Sequence, residues 1–158
     1  MKKSILALIM IFAVAMITAC SNSDNNGAQP KVGDITKTIF EQSEFPQMTE
    51  AKADHIKLMY DLDASDFEEY SIFQSADPVI SDELAVVKAK SKEQAEEIKK
   101  AFDTRVSERY EVYKGYAPES AKKLQNASVE VKGNYVMLVV GDAPDKAVEV
   151  FKDSFKKS

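Results

Sequence analysis

The 158-residue chain contains no tryptophan, one cysteine and one histidine, and it has only five glycines and five prolines. A single cysteine excludes a disulfide within the chain. A single histidine, His55, argues against the nucleophile–base arrangements of serine and cysteine hydrolases. Since 26 acidic residues outnumber 21 basic residues, the chain also lacks the basic background of nucleic-acid-binding proteins, and we expect no nucleic acid among its partners.

The first twenty residues differ from the rest of the chain because they contain no acidic residue and are mostly apolar. Two lysines, Lys2 and Lys3, precede an apolar run over residues 5–19. This run is shorter than the about 20 residues that a membrane-spanning helix needs, and its length is typical of a signal-peptide core. It ends in a sequence that resembles the bacterial lipobox, Ile17-Thr18-Ala19-Cys20.

The lipobox resemblance implies that residues 1–19 are a lipoprotein signal peptide and that Cys20 carries a diacylglyceryl thioether after cleavage. Two acyl chains anchor a protein stably, whereas a single chain binds a membrane only marginally. We therefore expect a lipid anchor that holds the protein at the outer, extracytoplasmic face of the cell membrane. The alternatives are an ordinary secretory signal that happens to contain a cysteine, and an uncleaved anchor.

Residues 20–32 are predicted to form a flexible tether after the lipidated cysteine. The segment is rich in serine and asparagine, includes glycine and proline, and shows no apolar periodicity. A flexible linker of this length has a root-mean-square extension of about 20 Å. The tether therefore allows the folded part to stand clear of the lipid headgroups.

Residues 33–158 carry the periodicities of a single α+β domain. The predicted elements are a helix from Asp34, a helix over 49–60, strands over 67–74 and 84–90, a helix from Ser91 to Gly115, a short helix from Pro118, strands over 128–132 and 135–140, and a helix from Pro144. This order, α-α-β-β-α-α-β-β-α, predicts a four-stranded antiparallel sheet from two hairpins, with helices packed on one face.

The second hairpin carries the clearest local signal, because Gly133-Asn134 forms a two-residue turn between two apolar strands. Such a turn pairs Lys132 with Tyr135. In that register one face is apolar, and it consists of Val129, Val131, Val136, Leu138 and Val140. The other face mixes polar side chains with Tyr135, Met137 and Val139, and we expect helices to cover it only in part. These last three residues are the candidate surface for a protein or envelope partner.

Four segments of the domain match one family in their order and spacing. They are Met59-Tyr60-Asp61-Leu62-Asp63, Asp82-Glu83-Leu84-Ala85-Val86-Val87-Lys88-Ala89, Tyr116-Ala117-Pro118-Glu119 and Gly133-Asn134-Tyr135-Val136-Met137-Leu138-Val139-Val140. With these segments and its lipobox, the chain resembles the bacterial lipoproteins of the family called domain of unknown function 4358. The resemblance implies a lipoprotein with this fold and brings no assigned activity.

Candidate catalytic and metal-binding residues are few. His55 lies in a predicted amphipathic helix and is expected to be solvated. The sequence from Asp61 to Ser65 resembles the start of an EF-hand loop, but Asp66 and Ile72 stand where glycine and a bidentate glutamate are needed. Glu68 and Glu69 point to opposite faces of a predicted strand, so they cannot act together as a glycosidase pair. We expect no metal, no cofactor and no catalytic residue.

Three tyrosines, Tyr110, Tyr113 and Tyr116, recur at the end of the long predicted helix. They are interpreted either as core residues with hydroxyls at the rim or as part of a recognition surface. The function that the sequence favours is a non-enzymatic lipoprotein that binds a protein or envelope component. The alternatives are a small-ligand-binding accessory lipoprotein, for instance for a transporter, and a cell-wall hydrolase that uses carboxylates alone.

Overall fold

Two hairpins and one short strand form an antiparallel sheet in the computed structural model, which describes residues 29–156. The strands of this part of the chain are β1 (Met48–Glu50), β2 (Glu69–Ser75), β3 (Glu83–Lys88), β4 (Ser128–Lys132) and β5 (Tyr135–Val140). Their order across the sheet is β1-β2-β3-β5-β4, and every neighbouring pair is antiparallel. The α+β class is confirmed, and so are the two hairpins, which are joined by the pairing of β3 with β5.

Five α-helices accompany the sheet within the same residues. They are α1 (Val32–Gln42), α2 (Ala53–Tyr60), α3 (Lys92–Tyr113), α4 (Pro118–Gln125) and α5 (Pro144–Asp153). Ser91 caps α3 by accepting a hydrogen bond from the backbone N–H of Gln94 at 3.2 Å, as its capping sequence predicts. No helix of residues 29–156 is both long and apolar enough to cross a bilayer.

The β4–β5 hairpin has the predicted register, with Lys132 opposite Tyr135 and Val131 opposite Val136. Gly133 has a φ of 59°. A positive φ at the first central residue alone is the arrangement of a type II′ turn, which glycine adopts without steric cost. The turn therefore sets the face on which every side chain of the hairpin lies.

The predicted four-stranded sheet is wrong by one strand, β1, which lies where the start of a helix was predicted. The backbone N–H of Ala51 donates to the carbonyl oxygen of Ile72 at 2.9 Å, so residues 48–51 extend along β2 and α2 begins only at Ala53. A strand of three residues is too short to show an alternation in the sequence. Its pairing with β2 supplies the backbone hydrogen bonds that a helix would have supplied.

The prediction that helices cover one face of the sheet is also wrong, because helices cover both faces. On one face α2, α3 and α4 pack over Ile72, Val87 and Leu138. On the other face α1 and α5 pack over Leu84 and Val86 of β3 and over residues of β5. Strands whose apolar residues run continuously are typical of sheets buried on both sides.

The chain enters the domain at one end of the sheet. The hydroxyl of Tyr135, at the start of β5, donates to the carbonyl oxygen of Pro30 at 3.0 Å, and the backbone N–H of Val32 donates to Glu69, at the start of β2, at 3.1 Å. Val32 is helical and buried, so the folded part begins one residue before the predicted boundary at 33. The predicted signal peptide, and the tether up to residue 28, lie outside the described residues.

We call the opposite end of the sheet the distal end, where β2 and β5 finish and β3 begins. The 22 residues of α3 start beside the entry end and return to the distal end, a length of about 33 Å. The hydroxyl of Tyr113, the last residue of α3, donates to the carbonyl oxygen of Pro78 in the β2–β3 loop at 2.6 Å. The distal end therefore gathers the β2–β3 loop, the end of α3 and the start of α4.

Candidate functional site

The predicted partner surface at Tyr135, Met137 and Val139 is part of the core. Their exposed fractions are 5%, 0% and 1%, and they pack in the cluster beneath α1 and α5. The ring of Tyr135 makes an edge contact with Phe155, with 4.9 Å between ring centroids. These residues therefore cannot meet a partner in the folded protein. Cys20, the predicted lipidation site, lies outside the described residues.

A buried carboxylate, Glu83, organises the distal end from the first residue of β3. It accepts hydrogen bonds from Arg105 Nε at 2.8 and 2.9 Å, from Arg109 Nη1 at 2.7 Å and from the hydroxyl of Tyr60 at 2.6 Å. The side chain of Glu83 is fully buried. A buried charge is tolerated only when it is paired and hydrogen-bonded, and here two guanidinium groups and a phenol meet that requirement.

The same arrangement holds Tyr60 neutral and Arg105 charged. Burial, followed by the negative charge of Glu83, raises the pKa of Tyr60 well above its ordinary value. Burial acts to lower the pKa of Arg105, but the charge and hydrogen bonds of Glu83 outweigh it and the pKa is raised. The guanidinium of Arg105 also lies over the ring of Tyr60, 5.1 Å from its centroid. At neutral pH Tyr60 is therefore a neutral phenol and Arg105 a guanidinium cation.

A second buried carboxylate, Asp82, ties the start of β3 to α4. Lys123 donates to Asp82 at 2.9 Å and to Asp142 at 2.8 Å. Burial lowers the pKa of Lys123, whereas its contacts with Asp142 and Asp82 raise it, and the net direction is upward. The lysine therefore remains a cation that bridges α4, β3 and the residues after β5.

Two serines complete the connection between the β2–β3 loop and α4. The hydroxyl of Ser81 donates to the carbonyl oxygen of Ser120 at 2.9 Å, and the hydroxyl of Ser120 donates to the carbonyl oxygen of Val79 at 2.7 Å. The side chains of Glu83, Asp82, Ser81, Ser120, Tyr60 and Tyr113 are thus all held in hydrogen bonds within the distal end. Satisfied networks of buried hydrogen bonds hold their elements in fixed positions, so this arrangement supports a rigid platform.

The surface over this platform exposes apolar side chains. Val79, Val112 and Tyr116 are 52%, 61% and 57% exposed, and exposed apolar side chains that lie together are typical of interaction sites. The ring of Tyr116 stacks on Tyr113, with centroids 5.4 Å apart. The core interpretation of the tyrosines holds for Tyr113, and Tyr110 packs half-buried against the core. Tyr116 is exposed, and its part in a recognition surface stays a prediction.

An open depression lies beside the edge strand β1, between the end of α1 and the sheet. Its volume is about 620 Å³, and we call it the apolar depression; its lining residues are Phe40, Ser43, Glu44, Phe45, Pro46, Met48 and Phe73. The ring of Phe40 makes edge contacts with Phe45 and Phe73, at centroid distances of 5.2 and 5.1 Å. The hydroxyl oxygen of Ser43 is buried without a hydrogen-bond partner in the described chain.

The other candidate residues have structural roles or lie in solvent. Asp63 accepts hydrogen bonds from the backbone N–H and the hydroxyl of Ser65, at 2.9 and 2.6 Å, and so closes a turn. Glu68 pairs with Lys88. His55 is exposed on α2. Within residues 29–156 no three histidine, cysteine, aspartate or glutamate residues form a group suited to a metal ion.

Sequence reasoning missed the buried charges of Glu83, Arg105 and Arg109. Arg105 and Arg109 are four residues apart and flank the apolar stripe of α3, a position in which charged residues are ordinarily solvated. The feature of the sequence that could have indicated this burial is that Glu83 directly precedes a continuously apolar strand. The apolar depression gave no comparable signal, because Phe40, Phe45 and Phe73 come from three separate segments.

Comparison with known families gives one match, which covers most of the described domain. The model of the family described as Domain of unknown function (DUF4358) matches residues 41–141. The chain belongs to this family. The part that matches DUF4358 contains all five strands and α2 to α4, and it leaves out α5 and most of α1. Searches of curated proteins and of solved structures found no match.

Proposed function

We propose that this DUF4358 protein is a lipid-anchored, extracytoplasmic binding module without enzymatic activity. In this proposal Cys20 carries the lipid, residues 21–31 form the tether, and the distal end of the domain binds a protein or envelope component. The buried charges of the distal end hold the binding surface rigid, and a rigid surface lowers the entropy cost of binding.

One observation carries the proposal: of the five exposed large apolar residues of the described chain, three lie together at the end of the sheet opposite the entry of the chain, whereas Leu58 is on α2 and Tyr70 is near the start of β2. Tyr135 and Glu69 hold residues 30–32 at the entry end, whereas Val79, Val112 and Tyr116 are exposed at the distal end. An anchor attached ahead of residue 30 makes the entry end the end of the domain that is tethered to the bilayer. Apolar side chains on the opposite end then face away from the lipid, where they can contact a macromolecule of the envelope.

The anchor is tested by replacing Cys20 with serine. Cys20→Ser is expected to abolish incorporation of an alkyne-labelled fatty acid and to release the protein from the membrane fraction. Ser21→Ala is the matched control, because it changes the neighbouring residue and keeps the thiol. A Cys20→Ser protein that remains acylated would contradict the proposal.

The position of the binding surface is tested with photo-crosslinking residues in intact cells. A crosslinker at Val112 is expected to give a discrete adduct, whereas one at Glu97 is not. Glu97 is also an exposed residue of α3. The comparison therefore removes any effect of solvent exposure, or of a position on this helix, on the yield of adduct. Equal adducts from both positions would contradict binding at the distal end.

A small-ligand-binding role is the second candidate, and the aromatic walls of the apolar depression favour it. It predicts that a small apolar compound raises the melting temperature of the protein. Phe73→Ala should remove that rise. If the compounds of a broad thermal-shift screen leave the melting temperature unchanged, this second candidate fails and the macromolecular partner stands.

A further inference from the structure

We infer that the edge strand β1 and the apolar depression together bind an extended peptide segment of a partner protein, one that places an apolar side chain between basic residues. The peptide would add to the sheet as a sixth strand. This inference deepens the binding role proposed above and rests on it.

The first argument is the direction of the backbone groups of β1. The backbone groups of Gln47 and Ala51 point towards β2. The N–H of Ala76 donates to the carbonyl oxygen of Gln47 at 2.8 Å, and the N–H of Ala51 donates to the carbonyl oxygen of Ile72 at 2.9 Å. In an antiparallel ladder the backbone N–H and C=O groups of successive residues point alternately to the two sides of the strand. Met48 and Glu50 therefore direct two N–H and two C=O groups away from the sheet.

The second argument is that the apolar depression lies next to this edge. Glu50 pairs with Phe73 across the ladder, so the side chains of Met48 and Glu50 project on the same face of the sheet as Phe73. Met48 and Phe73 are both walls of the apolar depression. A strand added to β1 would place every second side chain on this face, and one of them would enter the depression.

The third argument is an unsatisfied polar atom in the lining. The hydroxyl oxygen of Ser43 is buried and has no partner among the described residues. Buried polar groups without a hydrogen bond cost free energy, and most are satisfied in native proteins. A donor of a bound peptide would satisfy this oxygen.

The charge of the site indicates a basic peptide. Glu44 is the one charged residue among those that line the apolar depression in the described chain, and Glu50 is exposed on β1 itself. The nearby Lys37 is 3.8 Å from Glu41 and so faces an acidic neighbour. Lysine or arginine residues two positions before and after the apolar anchor would lie on the same face of the added strand as the anchor, and there they would complement Glu44 and Glu50.

The small size of the edge favours a peptide over a second copy of this chain. A strand of three residues is about 10 Å long, which is far too little for the about 800 Å² per partner of a stable dimer. A pairing of β1 with its own copy would also bring the acidic residues of both copies together, which is unfavourable. Pro46, which lacks an N–H, and α2, which begins at Ala53, limit the added strand to a few residues.

The test uses the whole chain as purified from cells and a blocked heptapeptide, Thr-Lys-Thr-Trp-Thr-Lys-Thr, in which both lysines share a strand face with the tryptophan. Because the chain contains no tryptophan, the fluorescence of the peptide reports binding without background. Binding is expected to shift the tryptophan emission to shorter wavelength and to slow hydrogen exchange over residues 47–51. The peptide in which glutamate replaces every lysine is expected to bind at least about tenfold more weakly.

Two variants localise the binding. Met48→Pro removes an outward N–H and keeps the bonds between β1 and β2, so the affinity for the basic peptide should fall about tenfold. The double change Glu44→Lys with Glu50→Lys affects exposed side chains and should reverse the preference between the two peptides. Glu97→Lys, on the other face of the sheet, is the control for the same kind of charge change and should retain the preference for the basic peptide.

Three results would overturn the inference: no binding of the basic peptide, equal binding of the two peptides, or a preference that the double lysine variant leaves unchanged. If Met48→Pro does not fold, the double lysine variant decides. These results concern the edge site alone. Failure of acylation at Cys20, or equal crosslinking from Val112 and Glu97, would instead overturn the proposed function.

Discussion

Tyr60 and Glu83 lie 23 residues apart in the sequence, and the hydroxyl of Tyr60 donates to the carboxylate of Glu83 at 2.6 Å inside the protein. This contact connects the end of α2 to the start of β3. Arg105 and Arg109 of α3 complete the same cluster. The distal end is therefore held together by polar contacts between elements that are distant in the chain.

The free energy of unfolding should depend strongly on the charge of Glu83. We expect Glu83→Gln to lower it by about 3–5 kcal/mol, because two partly buried guanidinium groups would lose the fully buried carboxylate that balances their charge. Urea denaturation followed by circular dichroism measures the change. Glu68→Gln, whose carboxylate pairs with Lys88 nearer the surface, is the control and should cost at most about 1 kcal/mol. Equal losses would show that Glu83 has no special role.

Tyr60→Phe should lower the free energy of unfolding by about 1.5–3 kcal/mol at neutral pH, the usual contribution of a hydrogen bond to a charged group. Urea denaturation at pH 7 measures this loss. Tyr70→Phe is the control, because the side chain of Tyr70 is exposed. A Tyr60→Phe protein as stable as the original would contradict the contribution of this contact.

The pKa of Tyr60 also predicts an alkaline pH dependence. Because this pKa is raised in the folded state, Tyr60 keeps its proton when tyrosines of the unfolded chain ionise near pH 10. The unfolded state then binds fewer protons, so the free energy of unfolding falls as the pH rises above about 10. Tyr60→Phe should make this fall shallower, as measured by urea denaturation between pH 8 and pH 11. An unchanged slope would contradict the prediction.

Burial of the β5 side chains predicts opposite results for two aspartate substitutions. Met137→Asp places a carboxylate in the core beneath α1 and α5, and we expect it to lower the free energy of unfolding by more than about 3 kcal/mol or to prevent folding. Val112→Asp, at an exposed position, should change it by no more than about 0.5 kcal/mol. Circular dichroism during thermal unfolding separates the two. A folded, stable Met137→Asp protein would contradict the burial of this residue in the core.

Two glycine substitutions should have opposite signs. Gly133→Ala should lower the free energy of unfolding by about 1 kcal/mol or more, because alanine tolerates the φ of 59° poorly. Gly33→Ala, on α1, meets no atom within 4 Å and should raise it by about 0.5 kcal/mol. Chemical denaturation of both variants measures the difference. Equal effects would contradict the type II′ turn.

Much of the local structure could be predicted because it depends on neighbouring residues. Ser91 and Gln94 set the start of α3 through one hydrogen bond across three residues. Gly133 and Asn134 set the register of the β4–β5 hairpin. In both cases the residues that form the contact are close in the sequence, so the pattern contains the interaction.

The candidate site could not be predicted in the same way. The apolar depression combines the end of α1, the segment before β1 and the middle of β2. The buried cluster of Glu83 combines α2, β3 and α3. No periodicity in the sequence records which of these segments meet, because that depends on how the helices return to the sheet.

The sequence by itself determined the α+β class, the two hairpins, the family and the residue expected to carry the lipid. The tertiary structure decided that α1 and α5 cover the second face of the sheet, and so moved Tyr135, Met137 and Val139 from an expected surface into the core. The physical reason is the separation along the sequence of the residues that interact. Turns and caps join residues a few positions apart, whereas burial depends on segments about a hundred residues apart, as the contact of Tyr135 with Pro30 shows.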